Sequence, residues 1–215
     1  MPLLFAHQSP VMGIWKIEES WQEMLELFAN KTIYTEEVAQ IQSDKRKQEW
    51  LAVRLLIAHL TGSEMPVRDK ENGAPLLTGT PYNISISHTA GYAAVILCKN
   101  THPGIDLEYR STRAWKLRNR FMSAEEQLIF TDSNQTANEP LSSQSAYATL
   151  CWCAKETAFK ALQEREIDFI HHLHITPFPL QNEGYFSLQE TKTTKQKTFT
   201  IHYRITENYI ITWTY

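Results

Sequence analysis

A chain of 215 residues, 42% hydrophobic and 21% charged, has an ordinary globular composition, long enough for one large core or two smaller ones and neither collagen-like nor disordered. Its net charge of -3 and pI near 6.2 supply none of the basic surplus that nucleic-acid or membrane-surface binding uses, so neither partner is expected and any cationic role must come from a local patch. Three cysteines, an odd number with Cys151 and Cys153 two positions apart, argue against a disulfide framework and for reduced thiols in the cytoplasm. The start of the chain lacks a basic segment followed by a long apolar one, and the longest apolar run, 93–98, falls far short of the roughly 20 residues a membrane span needs.

In chain order, near-alternation between Leu3 and Ile17, punctuated by Pro10 and Gly13, predicts one or two short strands. From Ser43 to Leu60 the apolar residues recur at helical spacing, and Thr61-Gly62 supplies a stop. The turn-rich stretch 68–75 leads into a half-buried strand, Tyr82 to His88, and then a run from Tyr92 to Cys98 that reads as a central strand covered on both faces. Residues 99–103 break the chain, and we place a boundary there, giving an N-terminal half 1–101 and a C-terminal half 102–215. A strand follows at Gly104–Glu108, then a helix start at Ser123-Ala124-Glu125-Glu126, where a hydroxyl and a glutamate three residues on can each satisfy a free backbone donor. The polar stretch 131–145 reads as an exposed loop, and Tyr147–Glu164, free of Gly and Pro, as a helix. Alternating segments at 185–188, 199–205 and 209–215, with a polar hairpin tip at 192–197, complete a set of antiparallel strands.

Candidate chemistry is concentrated in two places. In Gly104-Ile105-Asp106-Leu107-Glu108, alternation sends Asp106 and Glu108 to one face with their backbones about 7 Å apart, an arrangement magnesium favours, though an exposed strand face carries such pairs as well. On the helix, four-residue spacing stacks Trp152, Glu156 and Lys160 on one side and places Ala154, Ala158, Ala161 and Leu162 on another, suited to close packing on a sheet. Glu156 and Lys160 also read as a plain helical ion pair. His88 ends a strand beside Gly91, where a histidine can meet a phosphate oxygen or simply cap a turn. Lys45-Arg46-Lys47 and Arg54 add cations to the first helix, with a solvated face as the plain reading, and Arg110, Arg113, Lys116, Arg118 and Arg120 form a local basic patch where an acidic partner can dock. For His171-His172-Leu173-His174 a surface turn or strand suffices, because no paired Cys/His cluster accompanies it. Cys151 has no activating neighbour in the sequence.

Taken in order, the blocks Asn72-Gly73-Ala74-Pro75, Ile86-Ser87-His88-Thr89, Gly104-Ile105-Asp106-Leu107-Glu108, Arg120-Phe121-Met122-Ser123-Ala124-Glu125-Glu126 and Trp152-Cys153-Ala154-Lys155-Glu156-Thr157-Ala158-Phe159-Lys160 resemble the 4'-phosphopantetheinyl transferase family, in its larger, monomeric, surfactin-synthetase-activating branch. The likeness spans about Lys45 to Leu162, and two departures stand out: Ala74 replaces the lysine of the family's Gly-Lys-Pro turn, and Ala161-Leu162-Gln163-Glu164 replaces a glycine-rich ending. The resemblance implies an α+β (α/β) fold of two similar halves, each a small antiparallel sheet packed against a long helix, with the active site in the cleft between them. It further implies that Asp106, Glu108 and Glu156 ligate Mg2+, with Mn2+ as an alternative. The co-substrate is coenzyme A. Glu156 or a metal-held water takes the proton of the carrier serine, and Lys160 steadies the departing 3',5'-bisphosphoadenosine. Arg54, Ser87 and His88 fall to the adenosine 3'-phosphate and Lys155 to the pyrophosphate, while Lys70 is a neighbour able to replace the side chain lost at Ala74. The implied partner is an acyl or peptidyl carrier protein docking near Arg110–Arg120. Two other readings use the same residues: a metal-dependent phosphohydrolase, and a non-catalytic module that binds coenzyme A or a carrier.

Overall fold

The computed structural model describes residues 3–8, 10–132 and 142–215, and the chain divides into two units, Met1–Pro103 and Gly104–Tyr215. Each unit is an antiparallel sheet carrying one long helix, the α+β arrangement expected from the sequence.

In the first unit, β1 (Leu3–Gln8) and β2 (Val11–Lys16) form a hairpin, and β5 (Asn83–Thr89) and β6 (Tyr92–Cys98) form another, in the sheet order β1-β2-β6-β5. Helix α3 (Asp44–Thr61) packs on this sheet through Leu51, Ala52, Leu56 and Ile57, all 0% exposed. Each such leucine or isoleucine contributes about 1.5–3 kcal/mol relative to an exposed one. The helix begins where Ser43 Oγ accepts from the Arg46 N–H and ends at Gly62, whose φ of 77° is left-handed, as the Thr61-Gly62 stop implied. Two short helices, α1 (Trp21–Glu26) and α2 (Lys31–Ala39), precede it, and a small hairpin, β3 (Val67–Asp69) and β4 (Pro75–Leu77), follows it. The β3–β4 turn closes with the Lys70 N–H on Ala74 O at 2.8 Å.

In the second unit the sheet order is β7-β11-β10-β9-β8, built from β7 (Gly104–Tyr109), β8 (Leu173–Ile175), β9 (Glu183–Glu190), β10 (Thr198–Ile205) and β11 (Tyr209–Thr214). Between β7 and β8 run α4 (Arg113–Leu117), a 3-10 turn at Arg118–Arg120, α5 (Ala124–Asp132) and α6 (Ser142–Leu162). Helix α6 lies on β7, β11 and β10, and the small-residue side seen in the sequence is the side that packs: Ala154 and Ala158 are 0% exposed and Ala161 3%. The hydroxyl–glutamate pair at the start of α5 closes as expected, with Ser123 N–H donating to Glu126 Oε2 at 2.9 Å and Glu126 N–H to Ser123 Oγ at 3.2 Å.

The expected loop 131–145 is shorter than its composition suggested. Helix α5 runs to Asp132 and α6 starts at Ser142, while 133–141 lie outside the described residues. Polar side chains disguised the first turns of α6: Ser145 and Thr149 are 7% and 3% exposed, and the Thr149 hydroxyl donates back to Ser145 O at 2.7 Å, satisfying itself inside the helix. The His171–His174 segment is the turn and strand that sufficed from sequence: Asp168 Oδ1 accepts from the Ile170 and His171 N–H groups, and His172 Nδ1 accepts from the Asp168 N–H at 2.9 Å. Among the described residues no helix is long and apolar enough to cross a membrane.

Candidate functional site

Two groups of polar side chains stand out, one in each unit. The group in the second unit is built by β7 and α6. Gly104 lets them touch: a Cβ there would lie 2.0 Å from Thr157 O, so only glycine allows the helix backbone to rest on this strand. That approach puts Asp106, 5% exposed, against Lys160, whose Nζ donates to Asp106 Oδ1 at 2.8 Å and to Ile105 O at 3.0 Å. The expected helical pair between Glu156 and Lys160 is thus replaced by a bond from helix to strand. Glu156, one turn before Lys160, is pushed up to about 7 by burial, then by Asp106, with Lys160 opposing and Glu108 adding to the push. Asp106 and Glu108 thus lie within electrostatic reach of Glu156, a convergence that two-residue and four-residue spacing alone left open.

These carboxylates carry the oxygen donors a hard divalent cation takes, and their repulsion of Glu156 is what such a cation would relieve. As they stand, no group of three His, Cys, Asp or Glu side chains among the described residues is gathered closely enough to hold a metal. The ammonium of Lys160 is the positive charge that sits on Asp106 instead.

Beside Glu108 a pocket of about 610 Å³ opens within the same unit, lined by Tyr109, Arg120, Phe121, Trp152 and Phe169 among others. Trp152 finds its reason here: its ring packs against Phe121 at 5.2 Å and Phe169 at 5.6 Å, so a tryptophan on the charged side of α6 is a pocket wall.

Lys155 departs from expectation. It is 0% exposed, and its three ammonium donors meet Phe121 O at 2.8 Å, Glu126 Oε2 at 2.7 Å and Phe169 O at 2.7 Å. A lysine with every donor satisfied inside the unit has none to offer a pyrophosphate, so that role does not fit it here. Cys151 and Cys153 are also fully buried, and burial raises both thiols, the former to about 12, which agrees with inert cysteines.

The group in the first unit joins the start of α3 to the end of β5. Arg46 Nη1 lies 2.7 Å from His88 Nε2, and His88 Nδ1 lies 3.3 Å from Glu49 Oε2. An arginine can only donate, so Nε2 is the acceptor and the imidazole proton sits on Nδ1, facing Glu49. Sequence alone reads Arg46 as part of a solvated face. Arg54 instead stacks over the Trp50 ring at 3.2 Å and donates to Trp50 O at 3.1 Å, and burial holds its guanidinium down to about 10. Ser87 alternates to the face of β5 opposite His88 and is 7% exposed, so strand geometry separates those two side chains. Lys70 follows β3 at the hairpin turn.

A family model described as the 4'-phosphopantetheinyl transferase superfamily matches residues 103–214, and a second, described as the 4'-phosphopantetheinyl transferase N-terminal domain, matches residues 35–98. No curated protein matches the chain.

Proposed function

The chain belongs to the 4'-phosphopantetheinyl transferase superfamily, and from that premise we propose how its own residues move the phosphopantetheine arm of coenzyme A to a serine of an acyl or peptidyl carrier protein. The observation that carries the reading is the meeting of Asp106 and Lys160 where β7 touches α6, with Glu156 one helical turn before Lys160 and within electrostatic reach of both.

A serine hydroxyl is a weak nucleophile and a diphosphate a heavily charged target, so the site must remove a proton and offset negative charge. The Glu156 carboxylate accepts the hydroxyl proton as the serine oxygen bonds to the phosphorus that carries the arm. The bond from that phosphorus to the bridging oxygen breaks, and 3',5'-bisphosphoadenosine leaves with the electron pair. Lys160 offsets the charge, since two of its three donors are held by Ile105 O and Asp106 and the third is available to the leaving phosphate. Asp106, Glu108 and Glu156 would hold Mg2+, or Mn2+, which when bound supplies charge neutralisation at the diphosphate. In the first unit, Arg46 is suited to the adenosine 3'-phosphate, in the place Arg54 was expected to fill, and His88, whose Nε2 accepts from Arg46, orients that guanidinium. Within the second unit, the pocket next to Glu108 offers aromatic walls and polar ends, which suit an arm of methyl groups, amides and a thiol. The exposed Arg113, Lys116 and Arg120 line that pocket's rim or lie close to it in sequence, and suit an acidic carrier. Reduced thiols suit the cytoplasm, and a monomer is what the resemblance to the larger branch of the family implies.

Incubation with Mg2+, coenzyme A and an apo-carrier, followed by mass measurement of the carrier, tests the reading, and a gain of about 340 Da, the mass of the arm, is expected. An unchanged carrier mass beside consumed coenzyme A would point to phosphohydrolysis, and binding without turnover to a non-catalytic module.

A further inference from the structure

We propose that the buried Lys155–Glu126 pair is a positioning device, which fixes the Phe121 and Phe169 walls of the pocket beside Glu108 and thereby sets how the pantetheine arm lies against the reacting phosphate. The inference rests on the reading that the arm enters this pocket.

The pair is unusual in what it ties together. Lys155 and Glu126 side chains are 0% and 4% exposed and meet at 2.7 Å. The remaining lysine donors take Phe121 O and Phe169 O, while Glu126 accepts from Ser123 N–H at 2.9 Å and from Ile175 N–H at 3.0 Å. One ion pair thus pins four segments to α6: the end of the 3-10 turn, the start of α5, the loop before β8, and β8 itself. Taking both charges out of water is costly, and apolar replacements of buried pairs are often as stable, so stability alone is a poor reason for a pair here. Its geometry offers a better one. The two carbonyls it grips belong to the two residues whose rings flank Trp152, three positions earlier on the same helix, and these three rings form the pocket wall. Lys155 also directly precedes Glu156, so the same helical turn sets the wall and the carboxylate. Without the ammonium, the backbones of Phe121 and Phe169 lose their common anchor and the wall can relax away from Glu108.

The test compares wild type with the double variant Lys155→Met/Glu126→Gln, which removes both charges and keeps a side-chain acceptor for the Ser123 N–H. Two constants are measured, the KM for coenzyme A and the inhibition constant of 3',5'-bisphosphoadenosine, which lacks the arm. The expected result is a KM raised about tenfold or more, with the inhibition constant changed by less than about twofold. Both constants unchanged, or both raised together, would overturn the inference. Hydrogen exchange on wild-type protein supplies a second measurement that needs no variant: coenzyme A should slow exchange in 118–123 and 165–172, and bisphosphoadenosine should not. Equal protection by the two ligands would overturn the inference as well. Failure of the wild-type protein to transfer the arm at all would remove the function and this inference together, whereas transfer with unaltered discrimination removes the inference only.

Discussion

At Asp106 the strand delivers a carboxylate that is 5% exposed and bonded to Lys160 at 2.8 Å, so its loss should remove function before it removes structure. We expect Asp106→Ala to abolish carrier modification with the circular-dichroism spectrum preserved; a variant that modifies the carrier at the wild-type rate would refute the assignment. Glu156 makes the opposite trade. An ordinary glutamate titrates at 4.5, and burial with Asp106 pushes Glu156 up to about 7 in the folded protein. Between those values the unfolded chain ionises while the folded one holds its proton, so stability is full below 4.5 and falls as pH rises through 7. Glu156→Gln, which needs no ionisation, should therefore be more stable than wild type at pH 8 with chelator present, by roughly 1–3 kcal/mol, and no more stable at pH 4. The same variant should lose transfer, and a variant no more stable than wild type at either pH would show that burial and the neighbouring carboxylates do not push Glu156 up. Periods of two and four sort Asp106 with Glu108 on one strand face and Glu156 with Lys160 on one helix side, but that the two sets belong to one site was legible only through the family resemblance. Arg46 was not legible, since its distance from His88, 42 positions along the chain, is closed only by folding. Nor was Lys155, whose partner Glu126 is 29 positions away and whose neighbours in sequence give no sign that a lysine turns inward.

Among the elements, β7 and α6 decide the site through a contact with no room to spare. Gly104→Ala would place a methyl group 2.0 Å from Thr157 O, and since the obstacle is backbone, the strand must move off the helix. We expect a stability loss of about 1–3 kcal/mol from this overpacking, together with a fall in kcat larger than that of a surface variant of equal stability. A Gly104→Ala protein with wild-type kcat would mean that the strand–helix spacing does not set the chemistry. The elements that carry the site were readable because they are long or strictly alternating: α3, β5, β6, β7 and the strands β9 to β11. Helix α2 was not, for only Tyr34 and Val38 are buried on it and Asn30 makes no side-chain cap, so it has almost no periodic signal. Helix α1 went unread as well: its Ser20–Glu23 capping box closes in both directions but stands before only six helical residues, too few for a periodic pattern. The first turns of α6 were hidden by serine, glutamine and threonine, residue types that usually mark loops, and here Thr149 bonds to its own helix.

For the molecule as a whole, a formal charge of -3 conceals a basic region whose members have different duties. Arg118 lies over the Trp115 ring at 4.1 Å and Arg110 donates to Thr206 O at 3.2 Å, so these two are held against the protein. Arg113, Lys116 and Arg120 are exposed, and of them Arg113 and Arg120 also line the pocket assigned to the arm. Lys116 is therefore the residue that separates docking from chemistry, an exposed charge on α4 outside the pocket wall. A charge at the rim of an encounter acts mainly on the association rate and is screened by salt, whereas the small substrate has contacts of its own elsewhere. Lys116→Glu should raise the KM for an acidic carrier several-fold at low salt and leave the KM for coenzyme A unchanged, and the difference between variant and wild type should shrink as salt is added. Were the carrier KM to stay the same at low salt, the acidic partner would have to approach by another face, and the basic run after β7 would be solvated surface only.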